Sequence, residues 1–295
     1  MKDPLEALIA DARELARRAL ALVPAPTAVD WSGCPAAVWQ SGALGAGFTA
    51  HGSVDDIRLT DLLWIDDQKA RIDANTRQFL AGLPANNVLL WGARGTGKSS
   101  LIHALLNEYR DDGLRLVEVS KDSLAALPQI VRRLRDEPYR FVLFCDDLSF
   151  EADDASYKEL KSALEGSVFK ASGNVLIYAT SNRRHLLPEY GSDNAQVTVR
   201  EGELHESEAV EEKISLSDRF GLWLSFYPFR QDAYLDVARY WVTRLARDHG
   251  LALTWNDELR AAALRWALAR GVRSGRTAQH FARHWVGSEL LDAGG

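Results

Sequence analysis

Apolar residues recur along this chain with two different periods, and the change from one to the other divides it. Leu5, Leu8, Ile9, Ala12, Leu15, Ala19, Leu20 and Val23 fall at helical spacing, which predicts an amphipathic helix. Asp3-Pro4-Leu5-Glu6 offers a capping box with proline in the first turn, and Pro24 and Pro26 stop the helix. Residues 31–53 are rich in Gly and Ala, follow neither period, and read as an irregular linker. Leu62 and Leu63, then Ile72 and Phe79, predict a turn and a helix running to about Leu80.

Five short apolar runs follow, at 88–91, 115–119, 141–145, 175–179 and 222–226. Runs of this length without polar alternation are the pattern of strands buried on both faces. Helical patterns at 128–134 and 157–164 lie between them. Strands alternating with helices predict an α/β fold, a parallel five-stranded sheet with helices on both faces. After Pro228 the strand pattern ceases. Residues 232–248, 257–269 and 277–291 read as three helices separated at Gly250 and Gly271, a small all-α unit.

The composition fits a folded globular chain: 295 residues, 46% hydrophobic and 26% charged. The longest apolar runs fall far short of the ~20 residues that span a bilayer, and the N-terminus shows no basic stretch followed by an apolar one. No membrane association is expected. Cys34 and Cys145 are too few for a disulfide framework, so a cytoplasmic location is expected. Cys145, inside an apolar run, reads as buried filler. The net charge of −6 has one source: residues 189–213 hold eight acids against two bases. The run from Glu201 to Glu212 reads as a solvated helix face. The remainder is balanced, so charge does not indicate nucleic-acid binding, although a basic stripe assembled in three dimensions would escape such a count.

Chemistry enters at Gly92-Ala93-Arg94-Gly95-Thr96-Gly97-Lys98-Ser99, a P-loop pattern directly after the first apolar run and opening a helix at Ser100 and Leu101. Glycines let the backbone turn tightly so that N–H groups and the helix N-terminus cradle phosphate oxygens. Lys98 reaches the β- and γ-phosphates and the Ser99 hydroxyl binds Mg²⁺. The third apolar run ends in Asp146-Asp147. Behind a P-loop, Asp146 at a strand end is placed to hold Mg²⁺, and Asp147 to orient or deprotonate the attacking water. The implied ligands are ATP and Mg²⁺.

With these motifs the chain resembles the AAA+ ATPases over roughly 58–291, and more closely an uncharacterised bacterial family of predicted AAA+ ATPases. The closer likeness is carried by Asp146-Asp147-Leu148-Ser149-Phe150, Ser181-Asn182-Arg183-Arg184-His185 and 217–222. The resemblance implies an organisation of N-terminal helix and linker (1–53), α/β nucleotide-binding domain (54–230) and helical lid (231–295). Asp61-Leu62-Leu63-Trp64-Ile65-Asp66 matches the segment that lines the adenine pocket, implicating Leu63 and Trp64. Asn182 matches sensor 1, Arg219 the arginine finger, and Arg276 sensor 2. It further implies a homo-oligomer, a ring or partial ring formed with ATP, that remodels a macromolecular partner.

Two departures modify this expectation. The family's usual second acid is Glu, and here it is Asp147, one methylene shorter. Members that thread peptides carry an aromatic after the second strand, and Ser120-Lys121-Asp122-Ser123-Leu124 has none. Both favour an alternative: a nucleotide-controlled binding module or loader whose slow hydrolysis resets it. A small-molecule kinase ranks third, because nothing after Pro228 resembles an acceptor site.

Overall fold

The computed structural model describes residues 13–14, 29–42, 45–52, 54–150, 154–165, 173–184, 186, 198–200, 203–205 and 218–293. The predicted N-terminal helix lies outside the described residues except for 13–14, which are helical.

The strands are β1 (Ala36–Gly42), β2 (Gly45–Ala50), β3 (Val88–Gly92), β4 (Leu114–Glu118), β5 (Arg140–Cys145), β6 (Val175–Ser181), β7 (Thr198–Arg200), β8 (Glu203–His205) and β9 (Leu222–Phe226). The α-helices are α1 (Asp66–Leu80), α2 (Lys98–Tyr109), α3 (Leu127–Leu134), α4 (Ala155–Glu165), α5 (Gln231–Asp248), α6 (Asp257–Ala269) and α7 (Gly275–Ala293). Seven strands form one sheet in the order β2-β1-β4-β5-β6-β3-β9, parallel except for the β1–β2 pair. The five predicted strands are its inner and β9-side members.

Alternation along these strands explains the two-sided burial. Val88, Leu90, Leu116, Val142 and Phe144 pack to one face with residues of α1 and α2. Leu89, Val117, Phe141, Leu143 and Ile177 pack to the other with α3 and α4. Successive side chains of a strand point oppositely, so an unbroken apolar run serves both layers. Cys145 is buried there and its thiol is pushed up to about 12 by that burial, which makes it inert filler.

The linker expected at 31–53 is instead a hairpin that extends the sheet, with Ala36, Ala37 and Val38 paired to Leu116, Val117 and Glu118. Trp39 meets Phe48 edge to face at 5.0 Å, and Trp31 meets Phe48 and Phe141 at 5.5 and 4.9 Å. Small residues, here Ala36 and Ala37, hid the strand pattern because both their faces are buried. Within the acidic segment, β7 and β8 form a short antiparallel ladder rather than the expected helix face; the rest of that segment lies outside the described residues.

Helices α5, α6 and α7 bury a separate cluster that includes Tyr234, Val242, Leu259, Ala263, Phe281 and Val286. Asn256 caps α6 by accepting from the Leu259 N–H at 2.9 Å. Among the described residues no helix is long and apolar enough to cross a membrane. The segment after β4 forms a 3₁₀ turn (Lys121–Ala126) with Ser123 and Leu124 buried.

Candidate functional site

Parallel strands place the ends of β3, β5 and β6 at one edge of the sheet, where ligands of open α/β sheets bind. Register decides which residues meet there. Trp91 lies opposite Ser181, so the P-loop starts beside Asn182. Cys145 lies opposite Ala179, so Asp146 starts beside Thr180.

The P-loop requires its glycines at three points. Gly92 has φ 125° and a Cβ there would stand 2.0 Å from the Phe226 carbonyl oxygen. Gly97, at φ 103°, caps α2. Gly95, at φ 73°, lies under α7: a Cβ would stand 2.9 Å from Ser274 Oγ, and its carbonyl accepts from the Arg276 N–H at 3.1 Å. The helical unit thus rests directly on the loop.

The polar side chains of the site form one continuous chain. Lys98 is buried, and its Nζ donates to the Gly92 and Ala93 carbonyls, both at 2.8 Å, and to Asn182 Oδ1 at 3.3 Å. Burial lowers its pKa to about 8, against the opposing pull of Asp147 and Asp146. The amide of Asn182 donates to Asp147 Oδ1. Thr180 Oγ1 accepts from the Asp147 N–H at 2.8 Å and donates to Asp146 Oδ1 at 2.5 Å. The same oxygen accepts from Ser99 Oγ at 2.7 Å. Asp147 sits at φ 49°, a left-handed conformation that Asp tolerates. Its other oxygen is 3.7 Å from Arg94, an exposed pair of little energetic weight.

These groups open on a cleft of about 410 Å³, within the ~300–1,000 Å³ of ligand pockets. Residues 94–100 of the P-loop, Asp146, Asp147, Asn182, Arg276 and Gln279 line its polar end. Ile57, Leu62, Leu63, Ile65, Phe229, Val237 and Trp241 supply an apolar lining. The donor set fits a nucleoside triphosphate with Mg²⁺: a glycine cradle, a buried cation, and a hydroxyl paired with a carboxylate, the hard oxygen ligands Mg²⁺ prefers.

Several placements depart from the sequence reading. The adenine-pocket match implicates Trp64 beside Leu63. Its φ of 65° turns the ring outward, 55% exposed, into a separate groove with Tyr240 and Arg244. Leu63 and Ile65 face the cleft, and the left-handed turn between them sends Trp64 the other way. Gly92 and Ala93 contribute their carbonyls to Lys98 and line a neighbouring groove with Arg183 and Arg184. Arg184 stands 5.5 Å over the Trp91 ring; His185 lies outside the described residues. Arg219, read as a finger that serves a neighbouring copy, is half-buried before β9 and lies outside the cleft lining, which does not depart from that reading. The sequence reading missed Thr180, although it lies in the Ala-Thr-Ser-Asn run that ends β6. It also missed Phe229, Gln279 and the pair Val237 and Trp241, whose helical spacing is visible without the face it serves.

A buried carboxylate stands at the base of the apolar end. Asp61 accepts from the Arg58 N–H at 2.8 Å and from Tyr240 Oη, and pairs with the Arg244 guanidinium. Burial opposes its ionisation, but these partners outweigh burial and hold the carboxyl below the usual carboxylate range.

The family model described as protein of unknown function, DUF815, matches residues 32–289. The chain is a member of the DUF815 family. No curated protein of established activity is similar enough in sequence to match it. Solved structures share the fold of this DUF815 member, which is that of the AAA+ ATPases. A point variant of Thermotoga maritima RuvB superposes with a TM-score of 0.50 at 18% identity, covering 77% of this chain and 63% of that one. The Aeropyrum pernix ORC1 protein, solved in complex with DNA, superposes with a TM-score of 0.50 at 15% identity, covering 73% and 57%. The matches therefore span less than two thirds of either relative's chain.

Proposed function

We propose that this DUF815 chain is an ATPase that binds ATP with Mg²⁺ in the cleft and hydrolyses it at the contact between two copies, in order to remodel a macromolecular partner in the cytoplasm. The α/β part (54–230) would hold the nucleotide and the helices of 231–295 would close over it as a lid. The observation that carries this reading is the unbroken run Ser99–Asp146–Thr180–Asp147–Asn182–Lys98, which joins the phosphate cradle to a second carboxylate.

Lys98 and the P-loop N–H groups would hold the phosphates, and Ser99 with Asp146 would hold Mg²⁺, which would supply charge neutralisation there. Asp147 takes the proton of the attacking water, and Asn182 holds that carboxylate in place. Arg276 approaches from the lid. The place of Arg219 supports a head-to-tail assembly. β9 runs parallel to β3, with Leu222 opposite Val88 and Phe226 opposite Gly92. Arg219 lies in the turn just before Leu222, which puts it toward the end of β9 remote from the P-loop. It does not line its own cleft, and a head-to-tail contact would offer it to the cleft of a neighbouring copy.

The test is Asp147→Asn, expected to keep ATP affinity within a few fold while turnover falls ~10²–10⁴-fold, the usual worth of a general base. Steady-state phosphate release and calorimetry together decide; persisting turnover would place the base elsewhere. The second reading, a nucleotide-controlled binding module or loader, is favoured by the short Asp147 and its engagement by Asn182 and Arg94. Turnover that stays slow with DNA, RNA or unfolded protein present, while mass changes with ATP, would select it.

Protonation gives a further prediction. Lys98 stands at about 8 in the nucleotide-free protein, and phosphate beside it raises that value. ATP binding near pH 8.5 should therefore take up protons, and affinity should fall as pH rises through 8. Calorimetry in two buffers of different ionisation enthalpy checks this; equal apparent enthalpies would refute it.

A further inference from the structure

Helix α5 meets the base end of the cleft from two sides. Val237 and Trp241 line the cleft itself, while Tyr240 and Arg244 lie toward the outer groove beside Trp64. Between them stands Asp61, 4% exposed, immediately before the lining residues Leu62 and Leu63. Asp61 also borders the cleft, but both its carboxylate oxygens are engaged by protein groups: Oδ1 by Tyr240, and Oδ2 by the Arg58 N–H and the Arg244 guanidinium. Arg244 reaches further: its guanidinium stands 5.3 Å over the Trp241 ring and 3.8 Å from Asp248. Trp241 in turn meets Tyr240 edge to face at 5.5 Å. One buried carboxylate thus ties together the helix that supplies Trp241 and the segment that leaves the 3₁₀ turn Leu59–Asp61 to supply Leu62 and Leu63.

We propose that Arg244, with Tyr240, is a positioning residue for nucleotide binding: through Asp61 it fixes α5 against the segment 57–65 and so sets the shape of the base pocket. The inference rests on the cleft being a nucleotide site. Arg244 and Tyr240 stand outside the cleft lining and act by removing the freedom of the two pocket walls before the ligand arrives, a gain in affinity through preorganisation. Phosphate chemistry occurs at the other end of the cleft and is not arranged by these groups. A change at Arg244 should therefore appear in affinity far more than in the rate at saturation.

The experiment compares full-length wild type with Arg244→Gln, Arg244→Lys and Tyr240→Phe by calorimetric ATP titration and by hydrogen exchange without nucleotide. Arg244→Gln should raise the Kd by about tenfold or more, since small misplacements of a binding wall are costly. Arg244→Lys should recover part of that loss, and Tyr240→Phe should give a smaller increase in the same direction. Exchange should quicken in 57–65 and 237–244 while β3 and β5 keep their protection. In steady state, KM should rise with the Kd while kcat changes by less than about threefold. Arg244→Gln leaves a buried carboxylate without its cation and risks misfolding; Arg244→Lys and Tyr240→Phe then carry the test alone. Wild-type affinity in both of those variants overturns the latch and leaves the nucleotide reading standing. Failure of the wild-type protein to bind ATP overturns both.

Discussion

Lys98→Ala should remove tight ATP binding. The ammonium is buried and bridges the Gly92 and Ala93 carbonyls at 2.8 Å each, with Asn182 at 3.3 Å. In that position it is the P-loop charge placed to pass from the loop's own oxygens to phosphate. Without it the phosphates would meet the Gly92 and Ala93 carbonyl oxygens, and the carboxylates Asp146 and Asp147, without the buried ammonium that offsets them. Taking one partner from a buried charge pair costs about 3–5 kcal/mol, which is roughly two to three and a half orders of magnitude in Kd. The fold itself should survive, because burial already disfavours the charged lysine. Calorimetry should show the affinity lost while the thermal midpoint of the nucleotide-free protein stays within a few degrees. Unchanged affinity would remove the nucleotide assignment.

Arg219→Ala should leave ATP binding nearly intact and abolish hydrolysis. A finger arginine stabilises charge on the transferring phosphoryl group and is worth ~10³–10⁵ in rate. Arg219 lies before β9, toward the sheet end opposite the P-loop, so any such role is played on a neighbouring copy. Head-to-tail contacts of that kind close into rings when the rotation permits. Two measurements follow from the geometry. Mixing Arg219→Ala with Lys98→Ala should restore part of the activity, because a mixed contact can pair an intact P-loop with an intact finger. Specific activity of the wild type should also rise with protein concentration as copies associate. Normal hydrolysis by Arg219→Ala, or flat specific activity where the protein is monomeric, would count against the role.

The legible parts of this protein were those whose signal is local. The inner strands β3, β5 and β6 were visible as apolar runs, because burial on both faces leaves no polar position to interrupt them. Helix α6 was bounded as observed, at Asp257–Ala269, between the breaking glycines Gly250 and Gly271. The P-loop was legible because its glycines answer backbone conformations set within the loop, such as φ 103° at Gly97.

Residues whose meaning depends on a distant partner were not legible. The hairpin β1–β2 has strand character only because β4 offers an edge and Trp31, Trp39 and Phe48 find an aromatic neighbour in one another and in Phe141. Which of Leu63 and Trp64 faces the cleft was settled by a single positive φ, and neighbouring side chains do not announce it. Thr180 became the link between Asp146 and Asp147 through the register of β5 against β6. Asp61 and Tyr240 meet across 179 residues of sequence. Apolar periodicity specifies which face of an element is buried, because burial depends on that element's own pattern. Hydrogen bonds and ion pairs require a particular atom at a particular distance, and that is set by how whole elements pack.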